Sequence, residues 1–249
     1  MLDLVRGSIQ GFVKILDKDT GEILVDTHND VLYGNISTAL AQSLIGNPNS
    51  LLSYMAFGNG GAYVHPTGVI AYKPSLGGAG SLVKDVTANL YNTIYIKKIS
   101  NNATTSPDYD INSTATITGV NQATNYEDIT IDVTLVYNEL AIQGFEQIQQ
   151  SQFDNSSFVG TPSNTAGVST GETMVFNEIG LFAGSDNLLA GFSSTTIAEI
   201  NAFVAQGYNP EPNTTSKLMI THAIFHPVQK AQNRALQIIY TLRVQIGAN

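Results

Sequence analysis

Alternating apolar and polar residues predict a chain made mainly of β-strands. The clearest case is residues 129–135, where Ile, Val and Leu alternate with Thr and Asp, the pattern of a half-buried strand. A polar turn at residues 17–21 predicts a hairpin between residues 13–16 and 22–26. Short apolar runs predict the remaining strands, at residues 51–57, 93–99, 174–182, 188–192, 217–226 and 235–246.

Two segments have apolar residues at helical spacing instead. Residues 37–45 predict an amphipathic helix, with Ser37 as its cap and the Gly-Asn-Pro at 46–48 ending it. Residues 196–206 place Ile197, Ile200 and Val204 at helical offsets and predict a second short helix. Helices are therefore a small part of the expected fold.

Together these elements predict a mainly β (α+β) fold, an antiparallel β-sandwich-like domain with one or two short helices and long loops. No linker divides the charge or composition, so residues 1–249 are interpreted as a single domain, of which residues 1–34 could form an N-terminal hairpin arm. The polar stretches at 61–80 and 143–172 predict long loops, which in compact domains are usually functional. They are interpreted as contact surfaces.

The two most apolar strand candidates are expected in the core sheet. They are residues 176–182 and 236–244, and their charged neighbours Glu178, Arg234 and Arg243 are expected near the ends or edges of that sheet. Truncating a core residue such as Ile179 is expected to destabilise the protein. The loop at 61–80 is expected to be nearly neutral for stability.

Composition indicates a surface suited to contact. Charged residues make up 12% of the chain, about half of the usual ~25%. Asn, Thr, Ser, Gln and Gly take their place, and charge repulsion separates such a surface from its neighbours only weakly.

Charge and hydropathy exclude several classes of partner. The net charge of −9 disfavours nucleic acid, because phosphate recognition needs clustered Lys and Arg. The largest cluster is the pair Lys97 and Lys98, interpreted as a solvated strand end. No apolar run reaches the ~18 residues of a membrane span, and the N-terminus lacks an export-signal pattern. We expect a soluble protein with neither a nucleic-acid nor a membrane partner.

Two histidines, His222 and His226, lie four residues apart. On a helix this spacing would place two metal ligands on one face, but Pro227 and the apolar surroundings favour a strand. Four strand residues separate the Cα atoms by ~13 Å, too far for easy ligation of one metal. Hydrogen-bonded histidines at a strand end are the preferred interpretation.

Two loops are similar to ligand-binding loops, and both are interpreted as structural. Residues 58–61 (Gly-Asn-Gly-Gly) lack the flanking residues of a phosphate-binding motif, and their glycines are explained by unusual backbone angles in a tight loop. Residues 17–22 begin like a calcium loop but lack the third acidic position and the terminal Glu.

Paired carboxylates are the remaining candidates for catalysis. Asp108 with Asp110, or Glu127 with Asp128, could form an acid pair for glycoside cleavage. The chain has no Trp to build a sugar-stacking platform, and adjacent carboxylates in polar loops are usually solvated. The absence of cysteine excludes thiol chemistry. We expect no enzyme, no cofactor, and no catalytic or metal-binding residues.

Several segments resemble a known family. Residues 35–45 followed by 54–61 (Tyr-Met-Ala-Phe-Gly-Asn-Gly-Gly) resemble the helix, strand and glycine loop near the start of phage tail-collar fibre proteins. Residues 88–92 (Ala-Asn-Leu-Tyr-Asn) are similar to the stretch that follows this loop in those proteins. The most specific match is residues 176–182 (Phe-Asn-Glu-Ile-Gly-Leu-Phe), which with 187–190 are similar to their Glu-Val/Ile-Gly-Leu hairpin.

The likeness extends over most of the chain. Residues 21–29, 218–230 and 233–243 resemble structural proteins of phages more generally. Collar-fibre proteins usually continue into a long shaft and receptor-binding tip, whereas this sequence stops after its last predicted strand. The resemblance therefore implies either an attachment module without a fibre of its own, or a baseplate, collar or head-surface piece built on a similar fold.

The resemblance implies a structural role in a tailed bacteriophage virion, assembled in the host cytoplasm. The expected location is the tail, baseplate or fibre-attachment apparatus, and the expected partners are other virion proteins and further copies of the chain, a trimer or hexamer if it belongs to the tail. Two alternatives stay open: a capsid decoration or collar protein, and a tail module that binds host glycans.

Overall fold

The computed structural model of the protein describes residues 5–47, 50–78, 81–99, 112–121, 126–137, 173–184 and 217–248. Predictions for residues 188–192 and 196–206, and for the whole polar stretch at 143–172, lie outside these ranges. Within them the chain forms eleven strands and one α-helix. The strands are β1 (Val5–Asp17), β2 (Ile23–Val31), β3 (Leu52–Gly58), β4 (Ala62–Val64), β5 (Ile70–Tyr72), β6 (Thr93–Lys98), β7 (Ser113–Asn121), β8 (Tyr126–Leu135), β9 (Thr173–Gly184), β10 (Lys217–Ala231) and β11 (Leu236–Ala248), and the helix is α1 (Tyr33–Leu44).

Nine strands form one antiparallel sheet in the order β6-β3-β9-β10-β2-β1-β11-β8-β7, and β4 pairs separately with β5. The mainly β prediction is confirmed. The described strands form a single curled sheet, a half-barrel, and do not clearly form the predicted sandwich. The reason lies in β2, which pairs with β1 up to Asn29 and with β10 at Asp30 and Val31, so the sheet continues without a break.

The concave face of the curled sheet holds the main core. Fully buried residues from both halves pack together there, among them Val13 and Ile131 from one half and Phe57, Phe176 and Ile179 from the other. The rings of Phe57 and Phe176 meet edge to face with centroids 5.3 Å apart. Burial of these side chains, worth about 1.5–3 kcal/mol for each large apolar residue, stabilises the curl.

Polar contacts across the core also join the two halves. The Tyr240 hydroxyl of β11 donates to Thr221 Oγ1 of β10 at 2.5 Å and accepts a hydrogen bond from Asn29 Nδ2 of β2. Burial raises the pKa of Tyr240, so its hydroxyl stays protonated and able to donate. On the opposite side, the buried Lys97 Nζ of β6 donates to the carbonyl of Thr134 on β8 at 2.8 Å. Lys97 is therefore part of the interior, and not of the solvated strand end that the sequence predicts.

The predicted hairpin at the start of the chain is confirmed, and its strands lie inside the sheet. The turn passes through Gly21, whose φ of 73° lies in the left-handed region that suits glycine. Asp17 Oδ1 accepts hydrogen bonds from the backbone N–H groups of Asp19 and Thr20, both at 3.0 Å, as in an Asx turn. Asp17 Oδ2 pairs with Arg234 Nε at 2.5 Å, which ties this turn to the one between β10 and β11.

The helix begins earlier than the sequence predicts. It spans Tyr33–Leu44, so the proposed cap Ser37 lies inside it, and Leu32 precedes it without a side-chain capping bond. Tertiary contacts fix its start: the buried Asn35 donates from Nδ2 to the carbonyls of Asp85 and Met219, and its Oδ1 accepts from the N–H of Asp85, each at 2.8 Å. These bonds replace the missing cap by holding the first turn against β10 and the segment 81–88. The described residues contain no helix long and apolar enough to cross a membrane.

One strand prediction stops short and three strands are missed. β10 runs through Pro227 to Ala231, although the sequence predicts a strand that ends at residue 226. The proline occupies a register shift in the pairing with β9, where no ladder N–H is needed. The Thr-rich β7 and the short hairpin of β4 and β5 were not predicted. The hairpin lies within the stretch predicted as a loop at 61–80.

Ile179→Ala is expected to lower the free energy of unfolding by about 2–5 kcal/mol, because Ile179 is fully buried in β9 and truncation leaves a cavity. Urea denaturation followed by circular dichroism measures the change. Ile117→Ala is the matched control, since Ile117 is 67% exposed on β7 and its truncation should cost little. Equal effects of the two substitutions would contradict the placement of the core.

Asp17 is expected to make stability depend on pH at the acidic end. The N–H of Thr20 and then the guanidinium of Arg234 lower the pKa of Asp17 from 3.8 to about 2. A folded-state pKa below the unfolded value contributes stability that is present above about pH 4 and is lost as the pH falls towards 2. Urea unfolding between pH 6 and pH 2 should show a shallower loss for Asp17→Asn than for the wild type. Asp26→Asn, at an exposed position of β2, should keep the wild-type slope, and identical slopes for all three proteins would refute the pairing.

Candidate functional site

Two adjacent polar residues lie fully buried near the middle of the curled sheet. Asn177 and Glu178 belong to β9, between the core residues Phe176 and Ile179. β9 has β3 on one side and β10 on the other, so Glu178 does not lie at an end or edge of the sheet as the sequence predicts. A buried carboxylate is costly unless hydrogen bonds replace its water, and its partners define the site.

Four donors surround the carboxylate of Glu178. Oε1 accepts from the backbone N–H groups of Gly60 and Asn92, both at 2.9 Å. Oε2 accepts from the N–H of Tyr91 at 3.0 Å and from His222 Nε2 at 3.1 Å. An ionised carboxylate accepts only, so it satisfies all four contacts at once. The donors that bind the carboxylate therefore come from three segments of the chain.

His222 is held in one tautomer by its neighbours. Its Nδ1 accepts a hydrogen bond from the N–H of Leu76 at 3.0 Å, so the ring proton lies on Nε2 and is donated to Glu178. The carbonyl of His222 accepts from Ser75 Oγ at 3.0 Å. The neutral imidazole thus connects the carboxylate to residues 75 and 76, a further segment of the chain.

The side chains of Asn177 and Glu178 hold the glycine loop at residues 58–61 in place. Asn177 Oδ1 accepts from the N–H of Gly61 at 2.9 Å, and Asn177 Nδ2 donates to the carbonyl of Asn59 at 3.0 Å. The loop N–H groups of Gly60 and Gly61 therefore already have protein acceptors. This bonding gives the loop a structural role in place of a phosphate cradle.

Close approach explains the glycines of this loop. A Cβ at Gly60 would lie 2.7 Å from Tyr91 Cβ and 2.8 Å from Asn92 N, and one at Gly58 would lie 2.6 Å from the carbonyl oxygen of Asn92. Glycines with positive φ occur elsewhere among the described residues, at positions 21, 46, 68 and 78. The predicted reason, unusual backbone angles, is therefore wrong for residues 58–61.

An aromatic and basic surface covers the outer side of this cluster. The Tyr91 hydroxyl donates to the carbonyl of Pro74 at 2.8 Å, and Lys73 Nζ lies 4.4 Å from the centre of the Tyr91 ring. Burial, and then the charge of Glu178, raise the pKa of Tyr91. These contacts hold residues 73–76 over the carboxylate and keep it from solvent.

The other candidate residues are dispersed. The exposed His226 shares a hydrogen bond with the Tyr72 hydroxyl at 3.2 Å, whereas His222 is buried, so the two histidines of β10 serve different partners. Asp128 accepts two hydrogen bonds from Arg243, from Nε and Nη2, each at 2.8 Å, and is therefore engaged in an ion pair beside Glu127. Asp108 and Asp110 lie outside the described residues. Within the described ranges no three metal-ligating side chains cluster.

The sequence does not predict that Glu178, His222 and the loop at residues 58–61 form one cluster. The available signal was an Asn-Glu pair inside an otherwise apolar strand, in a chain that also carries a glycine loop and the Tyr-Asn of residues 91 and 92. The sequence pattern places Asn35 only at the start of a helical segment and does not predict the three buried hydrogen bonds that its side chain makes.

No protein-family model, no curated protein and no solved structure matches the chain.

Glu178→Gln is expected to lower the free energy of unfolding by about 3–5 kcal/mol. The amide replaces one acceptor oxygen with an NH₂ group, which faces backbone N–H donors and leaves them unsatisfied in the interior. Urea denaturation measures the loss. Glu127→Gln is the matched control, since Glu127 is exposed on β8 and should change stability by no more than about 0.5 kcal/mol. If Glu178→Gln left the free energy of unfolding unchanged, the carboxylate would not be what organises the loops.

Proposed function

We propose that this protein is a structural component of a tailed phage virion, located in the tail, baseplate or fibre-attachment apparatus, and that it acts by protein–protein assembly. Its partners are other virion proteins and further copies of itself, a trimer or hexamer in a tail of threefold or sixfold symmetry. It performs no catalysis, and the two halves of the curled sheet serve as the layers of a sandwich-like body.

The observation that carries this proposal is the convergence of the resembling segments on Glu178. The glycine loop at 58–61, the stretch at 88–92 and the strand segment at 176–182 are distant in sequence, yet all three contribute to one hydrogen-bonded cluster. Segments that build a single unit are a stronger basis for a resemblance than isolated short matches. The cluster therefore supports a module similar to the start of phage tail-collar fibre proteins.

The chemistry of the cluster supports a structural role over a catalytic one. Glu178 and His222 are a carboxylate and an imidazole in contact, the pair that general acid–base catalysis often uses. Both side chains are fully buried. The backbone N–H of Leu76 donates to Nδ1 of His222, the ring nitrogen that a substrate would need. The pair instead holds three loops on the sheet, at residues 58–61, 73–76 and 91–92. This favours a protein whose loops bind other proteins.

Particles purified from cells that express the gene provide the test. Mass spectrometry should detect the chain in those particles, and immunogold labelling should place it on the tail. Labelling of the head would favour the capsid decoration alternative, and binding in a screen of host polysaccharides would favour the glycan-binding one. Absence from purified particles would overturn the virion assignment.

A further inference from the structure

His222 uses its two ring nitrogens in opposite ways. Nε2 carries the ring proton and donates it to Glu178 Oε2 at 3.1 Å, whereas Nδ1 accepts from the backbone N–H of Leu76 at 3.0 Å. A backbone N–H can only donate, so the bond to Leu76 exists only while Nδ1 carries no proton. The segment 73–76 is thus attached to the sheet by a contact that depends on the charge of this ring.

A proton taken up by the ring binds at Nδ1, because Nε2 already carries one. The Nδ1–H group and the N–H of Leu76 would then be two donors facing each other, and both would lack an acceptor. The contact at Nε2 would become a charge-assisted hydrogen bond, since the imidazolium meets the carboxylate of Glu178. That carboxylate offsets a positive charge that is otherwise costly to bury. Protonation therefore breaks the bond to Leu76 and strengthens the bond to β9.

Among the described groups that face this ring, an imidazole is the one that ordinarily changes charge between pH 5 and 8. The others are two carboxyl groups, a phenol and an ammonium group: Glu178 of β9, the exposed Asp30 of β2, which lies opposite His222 in the strand register, Tyr91, whose ring centre lies 5.8 Å from that of His222, and Lys73, whose Nζ lies 4.4 Å from the Tyr91 ring centre. Burial, and then the charge of Glu178, raise the pKa of Tyr91, so its hydroxyl stays protonated in this range.

Three further hydrogen bonds of the segment do not involve the ring nitrogens. They join the N–H of Lys73 to the carbonyl of Gly61 at 2.8 Å, the hydroxyl of Tyr91 to the carbonyl of Pro74 at 2.8 Å, and Ser75 Oγ to the carbonyl of His222 at 3.0 Å. These bonds hold residues 73–75 whatever the charge of the ring. The effect of protonation is therefore confined to the end of the segment at Leu76.

We infer that His222 is a pH-sensitive switch for the segment 73–76. A neutral ring holds Leu76 on the sheet, and protonation in mildly acidic solution releases Leu76 while the ring stays on Glu178. The released state binds a proton at Nδ1 that the closed state excludes, so closure is complete above the titration of the ring and is lost as the pH falls through it. The surface that these residues present to a partner therefore differs between neutral and acidic solution, whether or not the protein belongs to a virion.

Amide hydrogen exchange of the full chain, followed by NMR between pH 8 and pH 5, tests the inference. The protection factor of the Leu76 amide should fall by up to about tenfold for each pH unit over the range in which the ring signals of His222 report its protonation. Protection factors are ratios to the intrinsic exchange rate at each pH, so the ordinary pH dependence of exchange cancels. The amides of Gly60 and Tyr91, which donate to Glu178, should keep their protection.

Two substitutions identify the titrating group. His222→Gln supplies a donor and an acceptor but takes up no proton, so protection at Leu76 should no longer depend on pH. His226→Gln is the matched control, because His226 is the exposed histidine of the same strand and shares a hydrogen bond with Tyr72, next to the segment. This control should keep the pH dependence of the wild type.

Four results would overturn the inference. Two need only the wild type: protection at Leu76 that stays constant while the ring of His222 is protonated, and a ring that stays neutral down to pH 5. These two decide the matter even if His222→Gln does not fold. A loss of protection at Gly60 and Tyr91 in parallel with Leu76 would mean that acid opens the whole cluster, and a pH dependence abolished by His226→Gln would assign it to the other histidine.

Discussion

A carboxylate without water needs hydrogen-bond donors, and Glu178 obtains them from three separate segments of the chain. This requirement explains features that otherwise seem unrelated: glycines at 58 and 60 that leave room for another backbone, N–H groups of residues 91 and 92 that point inwards, and a histidine fixed in one tautomer. If the charge were removed, as in Glu178→Gln, one of the two oxygens would be replaced by a donor, and the N–H groups that face it would lose their acceptor. The two ends of the long connection between β3 and β6, at residues 60 and 91–92, are held together by one side chain of β9.

The arrangement reverses a common division of labour between strands and loops. Loops usually carry contacts while strands carry the fold, yet here buried side chains of β9 and β10 determine the shape of the loops. The segment 73–76 is fixed through His222 and Tyr91, so its conformation depends on the sheet beneath it. Such a loop resists deformation, and changes in the core alter the surface that a partner meets. The expectation that residues 61–80 are nearly neutral for stability is hard to reconcile with these anchors.

The sequence predicts the parts of this fold that depend on residues close together in the chain. Periodicity is a local property, so the strands around residues 129–135 and 176–182 and the first hairpin are recognisable from their residues alone. The start of α1 depends on the bonds of Asn35 with Asp85 and Met219, which are remote in sequence. The path of β10 through Pro227 depends on a register shift relative to β9. The position of Glu178 also depends on contacts that are remote in sequence. A charge in an apolar strand suggests an edge position until the donors that surround it are known.

The pairing of β1 with β11 bears on how the chain folds. Val5 lies opposite Ala248 and Asp17 opposite Leu236, so one side of β1 is completed by a strand that the ribosome makes much later. Until then the emerging hairpin of β1 and β2 presents an unpaired edge and a bare apolar face, a state open to association with other chains. Contacts so distant in sequence also slow folding, because a long loop must close before they form. The nascent hairpin therefore stays exposed until residues 236–248 have been made, and its protection from other chains depends on how quickly β11 arrives.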